Sequence, residues 1–274
     1  MFIFSYSKIL SIKALAVFCI ASSLVACSQS TSVRKGAVRS SNAQAHSTSK
    51  GDTKPHHGVA TAKGFSIEGV DISKWQGDVD WPTVKAAGVH FAFIKSTEGG
   101  DHLDDRFLEN WHGAKAAGIP RSAYHFVFWC RSAHEQAAWF KQNVPADPEA
   151  LPPVLDLEWN SQSRTCPARI PFDEARAKIR VMLKAMEEHT GKKPIIYTDI
   201  TFHEDVLGNL FDEYPYWVRS TAAEPHQRYK DRHWSFWQYT TTGLMPGIRG
   251  HVDRNVFAGT AAEWQKFLAE NGTK

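Results

Sequence analysis

A chain of 274 residues, 42% of them hydrophobic, can bury a substantial core in one or two domains, and an α/β barrel often uses this length as one. Its formal charge of +3 is too small a basic excess for a nucleic-acid-binding protein, so no nucleic-acid partner is expected. No Cys/His set has the spacing of a structural zinc site and no Gly-rich phosphate loop is present, so neither a metal nor another cofactor is expected. Ten tryptophans and sixteen phenylalanines supply aromatic side chains for a core and for flat binding surfaces.

The first residues read as an export signal. Lys8 and Lys13 precede the apolar run Ala14-Leu15-Ala16-Val17-Phe18-Cys19-Ile20, which is too short for a membrane-spanning helix. Leu24-Val25-Ala26-Cys27 resembles a bacterial lipobox, with cleavage before Cys27 and lipid attached to its thiol; an ordinary signal peptide with a chance cysteine exports the protein equally well. Ser28 after the cysteine, in place of an acidic residue, points to the outer membrane if the source has one. Residues 1–26 are thus expected as signal peptide and 27–63 as a lipid-bearing cysteine with a flexible tether, poor in large apolar residues. A coil of that length reaches about 30 Å from its anchor. His46, His56 and His57 lie in it without a carboxylate cluster and read as tether.

From residue 64 onward, strand-like and helix-like runs alternate, the pattern of an α/β fold. Strands are predicted at 66–71, 90–95, 121–128, 154–158, 194–198, 216–219 and 235–239, with a last short one near Val252. Helices are predicted at 81–87, 107–117, 132–143, 172–190 and 261–271; Pro82 opens the first, and Gly88 and Gly118 stop the first two. The long helix carries Ala175, Ile179, Met182, Leu183 and Met186 on one face. The expected fold is a single (β/α) barrel, TIM-barrel-like but irregular, with its site at the C-terminal ends of the strands.

The fourth strand, Val154-Leu155-Asp156-Leu157-Glu158, carries two carboxylates at i and i+2, which share one face. Close carboxylates resist joint ionisation, which separates a proton donor from an anion, the division of labour that glycosidic cleavage uses. Asp-x-Glu alone also fits a solvated strand end. The wider pattern adds Gly69-Val70-Asp71-Ile72-Ser73-Lys74-Trp75-Gln76-Gly77, Phe93-Ile94-Lys95-Ser96-Thr97-Glu98-Gly99, Ala123-Tyr124-His125-Phe126, Pro194-Ile195-Ile196-Tyr197-Thr198, Trp234-Ser235-Phe236-Trp237-Gln238-Tyr239 and Val252-Asp253-Arg254-Asn255-Val256-Phe257. In this order the series resembles the glycoside hydrolase family 25 lysozymes, muramidases of the Chalaropsis type, from about Ile67 to Phe257.

The resemblance implies a catalytic domain over 64–274 that cleaves the β-1,4 bond between N-acetylmuramic acid and N-acetylglucosamine in peptidoglycan. It implies Glu158 as general acid, Asp156 as its neighbouring carboxylate, and Asp71 and Asp253 as further acids of the cleft. Asp156 would stabilise an oxocarbenium-like state or orient the substrate's N-acetyl group for attack. Tyr124 and Tyr197 match hydroxyl positions near the cleaved bond, and Trp217, Trp237 and Gln238 are candidate sugar contacts, the tryptophans equally candidates for the core. After Trp217-Val218 the family's Ala-Arg-Tyr-like run is replaced by Arg219-Ser220-Thr221, a departure at the rim of the cleft.

His125 alternates away from Tyr124 and is expected to be a packed structural residue; Lys95 is expected in an ion pair. Cys130 and Cys166 fall just beyond strands on one barrel face, and in an oxidising compartment they form a disulfide or remain two thiols. The expected partners are peptidoglycan glycan strands and a membrane through the N-terminal lipid, with a monomeric protein. The competing readings are a catalytically silent wall-binding lipoprotein and a hydrolase of another N-acetylated glycan; the complete acidic set argues against the first.

Overall fold

The computed structural model describes residues 58–272, so the signal peptide, Cys27 and nearly all of the tether lie outside the described residues. Nine strands and seven helices follow one another as β1 (Glu68–Ile72), α1 (Trp81–Ala86), β2 (Phe91–Glu98), β3 (His102–Leu103), α2 (Phe107–Ala116), β4 (Arg121–Phe126), α3 (Ala133–Asn143), β5 (Val154–Leu157), α4 (Phe172–Thr190), β6 (Ile195–Thr198), α5 (Ile200–Phe202), β7 (Tyr216–Arg219), α6 (Pro225–Arg228), β8 (Phe236–Gly243), β9 (Val252–Phe257) and α7 (Ala261–Glu270). Before them, a single turn at Ala60–Gly64 buries Ala62 in the core, so the chain is already packed at positions expected to belong to the tether.

Eight strands close into a barrel in the order β1-β2-β4-β5-β6-β7-β8-β9, with β9 returning to β1. Seven of them run parallel, while β9 is antiparallel to both neighbours, Gln238 standing opposite Asn255 and Asp71 opposite Asp253. This is the irregularity of the barrel: loop 244–251, not a helix, joins β8 to β9, and such a link can only bring the chain back antiparallel. The short β3 folds back on the end of β2.

Alternation along the strands builds two cores. Outward residues such as Val70, Ile94, Leu155, Ile196 and Val218 meet the helices, including the apolar face of α4. Inward residues fill the barrel in layers. At its N-terminal mouth Phe91, Val154, Ile195, Phe236 and Phe257 pack against Trp264 and Leu268 of α7, which plugs that end. Gly69 is required here, because a Cβ on it would lie 2.4 Å from the Phe91 ring. The middle layer is Phe93, Tyr124, Tyr197 and Trp217, with the Trp217 ring 4.3 Å from both Phe93 and Tyr197. The third layer, at the C-terminal ends, is polar.

The predicted strand at 121–128 ends two residues early. Side chains take over the backbone there: the amide of Phe128 donates to Gln136 Oε1 at 2.8 Å, and Asn160 Nδ2 donates to the Val127 carbonyl at 2.8 Å. The other predicted elements agree with the observed ones to within a few residues, and β3 is too short to show a period.

Candidate active site

The polar layer follows from strand register. Asp156 pairs with Tyr197, which pairs with Trp217; one step further, Leu157 pairs with Thr198 and Thr198 with Val218. The residues that emerge next at these three strand ends are Glu158, Asp199 and Arg219, and Arg219 pairs in turn with Gln238. Asp71 and Asp253, paired across β1 and β9, complete the ring. Four acids from three separate strands are thereby gathered at one mouth of the barrel.

Gln238 organises two of them. Its Nε2 donates to Asp71 Oδ2 at 3.0 Å and to Asp253 Oδ2 at 3.1 Å, while its Oε1 accepts from the Tyr197 hydroxyl at 2.9 Å. Asn255 Nδ2 donates to the same Asp71 oxygen at 2.8 Å, and Asn255 Oδ1 accepts from Trp217 Nε1 at 2.8 Å. Each amide is therefore oriented by a donor on one side and a carboxylate on the other. Gln238 is 1% exposed, and its amide, expected as a sugar contact, is engaged with the two acids and with Tyr197. Asn255 was not singled out from sequence, although its i+2 relation to Asp253 puts it on the inner face.

Asp71 and Asp156 are 4% and 2% exposed, and Glu158 has no exposed surface. The backbone around Glu158 is pinned: its carbonyl accepts from Trp129 Nε1 at 2.6 Å, and the following Trp159 donates from Nε1 to Asp205 Oδ2 at 2.8 Å. Arg169 pairs with the same Asp205 oxygen at 2.6 Å and lies over the Trp159 ring. Burial pushes the phenols of Tyr124 and Tyr197 well above the usual tyrosine value. The charges of Asp71 and Asp156 add to this at Tyr124, and those of Glu158 and Asp156 at Tyr197, so both remain hydroxyl donors among the acids.

Above this layer opens a cleft of about 390 Å³ on the β2–β4–β5 side, walled by Trp75, Tyr124, Phe126, Phe128 and Trp159, with Lys74, Lys95, Glu98 and Arg164 at its edges. Trp75, half exposed, is its most accessible aromatic. Lys95 is paired with Glu98, as expected. Trp159 and Asn160, which follow Glu158 directly, line this cleft, so the end of β5 runs into its wall.

Trp237 is on the opposite face of β8 from Gln238. It packs against Phe65, Trp234 and Tyr239 and donates from Nε1 to the Ser220 carbonyl at 2.7 Å, so it is a core residue and not a sugar platform. Trp217 is 2% exposed in the middle layer, and its indole N–H is spent on Asn255. His125 is fully buried, with Nδ1 2.8 Å from Thr97 Oγ1 and Nε2 3.3 Å from Gln136 Oε1; burial pulls its value down to about 4. Cys130 and Cys166 are disulfide-bonded, their Cα atoms 5.5 Å apart, tying the loop after β4 to the loop after β5. Asp199 was overlooked in the sequence, although it follows Tyr197 by two residues and so continues the inward face of β6.

The comparisons with known proteins agree with this architecture. A family model described as glycosyl hydrolases family 25 matches residues 70–248. Over 212 residues the chain is 38% identical to the uncharacterised protein YegX of Escherichia coli strain K12, covering 74% of each chain. It is 35% identical to Lysozyme M1 of Streptomyces globisporus over 212 residues, covering 74% of this chain and 72% of that protein. The structure of a family 25 glycosyl hydrolase from Bacillus anthracis superposes with a TM-score of 0.69 at 32% identity, covering 78% of this chain and 97% of that one. A barrel closed by an antiparallel last strand, with acids gathered at the strand ends and a matching family model over most of its length, belongs to a glycoside hydrolase, and the chain is a member of glycosyl hydrolases family 25.

Proposed function

We propose that the protein is a lysozyme of the N-acetylmuramidase type that cleaves the β-1,4 bond between N-acetylmuramic acid and N-acetylglucosamine in peptidoglycan. The observation that carries the residue assignment is the shared inward face of Asp156 and Glu158 at the C-terminal end of β5, in one ring with Asp71 and Asp253. Glu158 is the general acid that protonates the leaving oxygen. Asp156 is the anion that faces the positive charge developing at the anomeric carbon. Asp71 and Asp253, held by Gln238, keep the floor of the site negative and orient the sugar, and Tyr124 offers a hydroxyl to it. Trp75, Phe126 and Trp159 are the cleft walls against which pyranose faces stack.

The test is digestion of purified peptidoglycan by the soluble domain, with mass analysis of the released fragments. Fragments ending in reducing N-acetylmuramic acid are expected. Reducing N-acetylglucosamine or anhydro-muramic ends would overturn the bond assignment, and binding without fragments would favour the wall-binding lipoprotein. Glu158→Gln is expected to lower turnover by ~10²–10⁴-fold with the fold retained.

The protein reaches this substrate by export, and Cys27 carries the lipid that holds it to a membrane facing the wall. Cys27→Ser is then expected to move the protein from the detergent phase to the aqueous phase; unchanged partition sinks the anchor.

A further inference from the structure

The loop that joins β5 to α4 leaves the strand at Glu158 and soon makes a turn that is braced on both sides. The Ser163 amide donates to the Asn160 carbonyl at 2.8 Å, and Ser163 Oγ accepts from the Thr165 and Cys166 amides at 3.3 and 3.0 Å. Cys166 is bonded to Cys130, and Asn160 Oδ1 accepts from the Trp129 amide at 2.9 Å. From this held backbone the exposed Arg164 lines the cleft.

The lysines on the same walls already have carboxylates: Lys74 pairs with Asp105 at 3.0 Å and Lys95 with Glu98 at 2.5 Å. The other arginines of the loops after β4 and β5 are paired as well, Arg131 with Asp101 and Glu135, and Arg169 with Asp205. Arg164 has no ion pair, hydrogen bond or ring contact among the described residues. A guanidinium stays charged at any working pH and presents a planar fork of donors that matches a carboxylate. The cleft thus offers a cation that no described carboxylate of the chain neutralises, on a support that is already ordered.

We propose that Arg164 is a specificity-determining residue that binds a carboxylate on the lactyl branch of muramic acid, the free lactyl group or the peptide attached to it being its two sources. This rests on the muramidase reading. The alternating N-acetyl sugars of the glycan backbone are neutral, so the anions of the substrate sit on that branch. The acidic floor of the site disfavours an anionic branch, and a cation at the cleft edge offsets this and draws the branch outward past the loop after β5. Lys74 and Lys95 fit this task less well, because each would first have to give up its present carboxylate.

The test measures kcat and KM of the full-length protein, Arg164→Gln and Arg164→Glu on soluble glycan strands in three forms: bearing peptides with free carboxylates, the same strands with those carboxylates converted to methylamides, and strands stripped of peptide so that the lactyl carboxylate is free. Where the recognised carboxylate is present, Arg164→Gln is expected to raise KM about five- to tenfold with kcat within about twofold, and Arg164→Glu to raise KM further. Methylamidation should lift the KM of the parent to that of Arg164→Gln. The strands that show the difference identify the source: peptide-bearing ones a peptide carboxylate, stripped ones the free lactyl group.

Equal KM for parent and Arg164→Gln on both carboxylate-bearing forms overturns the proposal. So does a difference that survives methylamidation, since it reports a contact that does not depend on the substrate's charge. The two readings fail separately: a parent that releases no fragments ending in muramic acid refutes the muramidase, whereas an active parent with an unchanged Arg164→Gln refutes only this contact.

Discussion

Gln238 shows how one neutral side chain can order a charged site. Its amide N–H groups hold Asp71 and Asp253, and its carbonyl orients Tyr197. Gln238→Leu strips a donor from two acids and an acceptor from a buried phenol. A loss of about 2–3 kcal/mol in urea unfolding is expected, with a fall in kcat larger than the change in KM. Gln238→Glu puts a third carboxylate between two others and should cost more. Near-normal kcat in both variants would remove Gln238 from the site. The pairing of Asp156 with Glu158 was legible because a strand alternates, and the same rule, applied strictly, separates Gln238 from Trp237 and adds Asp199 and Asn255. What alternation cannot supply is the partner of an inward residue, since that depends on register between strands far apart in sequence.

At the scale of elements, the longer helices were legible from their apolar period and their stops, and Phe172–Thr190 matches its prediction at both ends, whereas α5 and α6, three and four residues long, are too short to show a period. The antiparallel direction of β9 was not legible, because a strand's own sequence says little about which way its neighbour runs. The loops after β4 and β5 are cross-braced by more than their disulfide. Asn160 accepts from the Trp129 amide at 2.9 Å and donates to Val127, and the Cys130 amide lies 2.9 Å from Cys166 Sγ. Opening the 36-residue separation between the cysteines is expected to cost ~3–4 kcal/mol. Because these loops carry Trp159 and the cleft wall, Cys130→Ser/Cys166→Ser should lower peptidoglycan turnover more than it changes far-ultraviolet circular dichroism. Equal activity in the two proteins would show that the hydrogen bonds suffice.

For the whole molecule, buried titratable groups set how stability follows pH, and their signs oppose. His125 and His203 are held near 4 in the fold against 6.5 in the open chain, so the unfolded state takes up more protons as pH falls from 6.5 to 4, and stability drops in that window. Asp199 is raised to about 7 against 3.8, so the fold takes up the extra proton between 7 and 4, and stability rises there. Two histidines outweigh one aspartate, and a net fall in melting temperature from pH 7 to pH 4 is expected. Asp199→Asn should steepen it and His125→Asn should flatten it; a profile that is the same in all three proteins would contradict these burial effects. The order in which the barrel is completed has a temporal consequence. Strand β9, which bridges β1 and β8 and carries Asp253 and Asn255, emerges from the ribosome after the other described strands. Until it arrives, β1 and β8 present open edges, and Asp71 lacks the Asn255 amide that shares it with Gln238. Chain growth itself therefore acts as a timer: a nascent polypeptide has neither a closed barrel nor a finished set of acids until β9 has emerged and paired, and hydrolytic power waits on that strand.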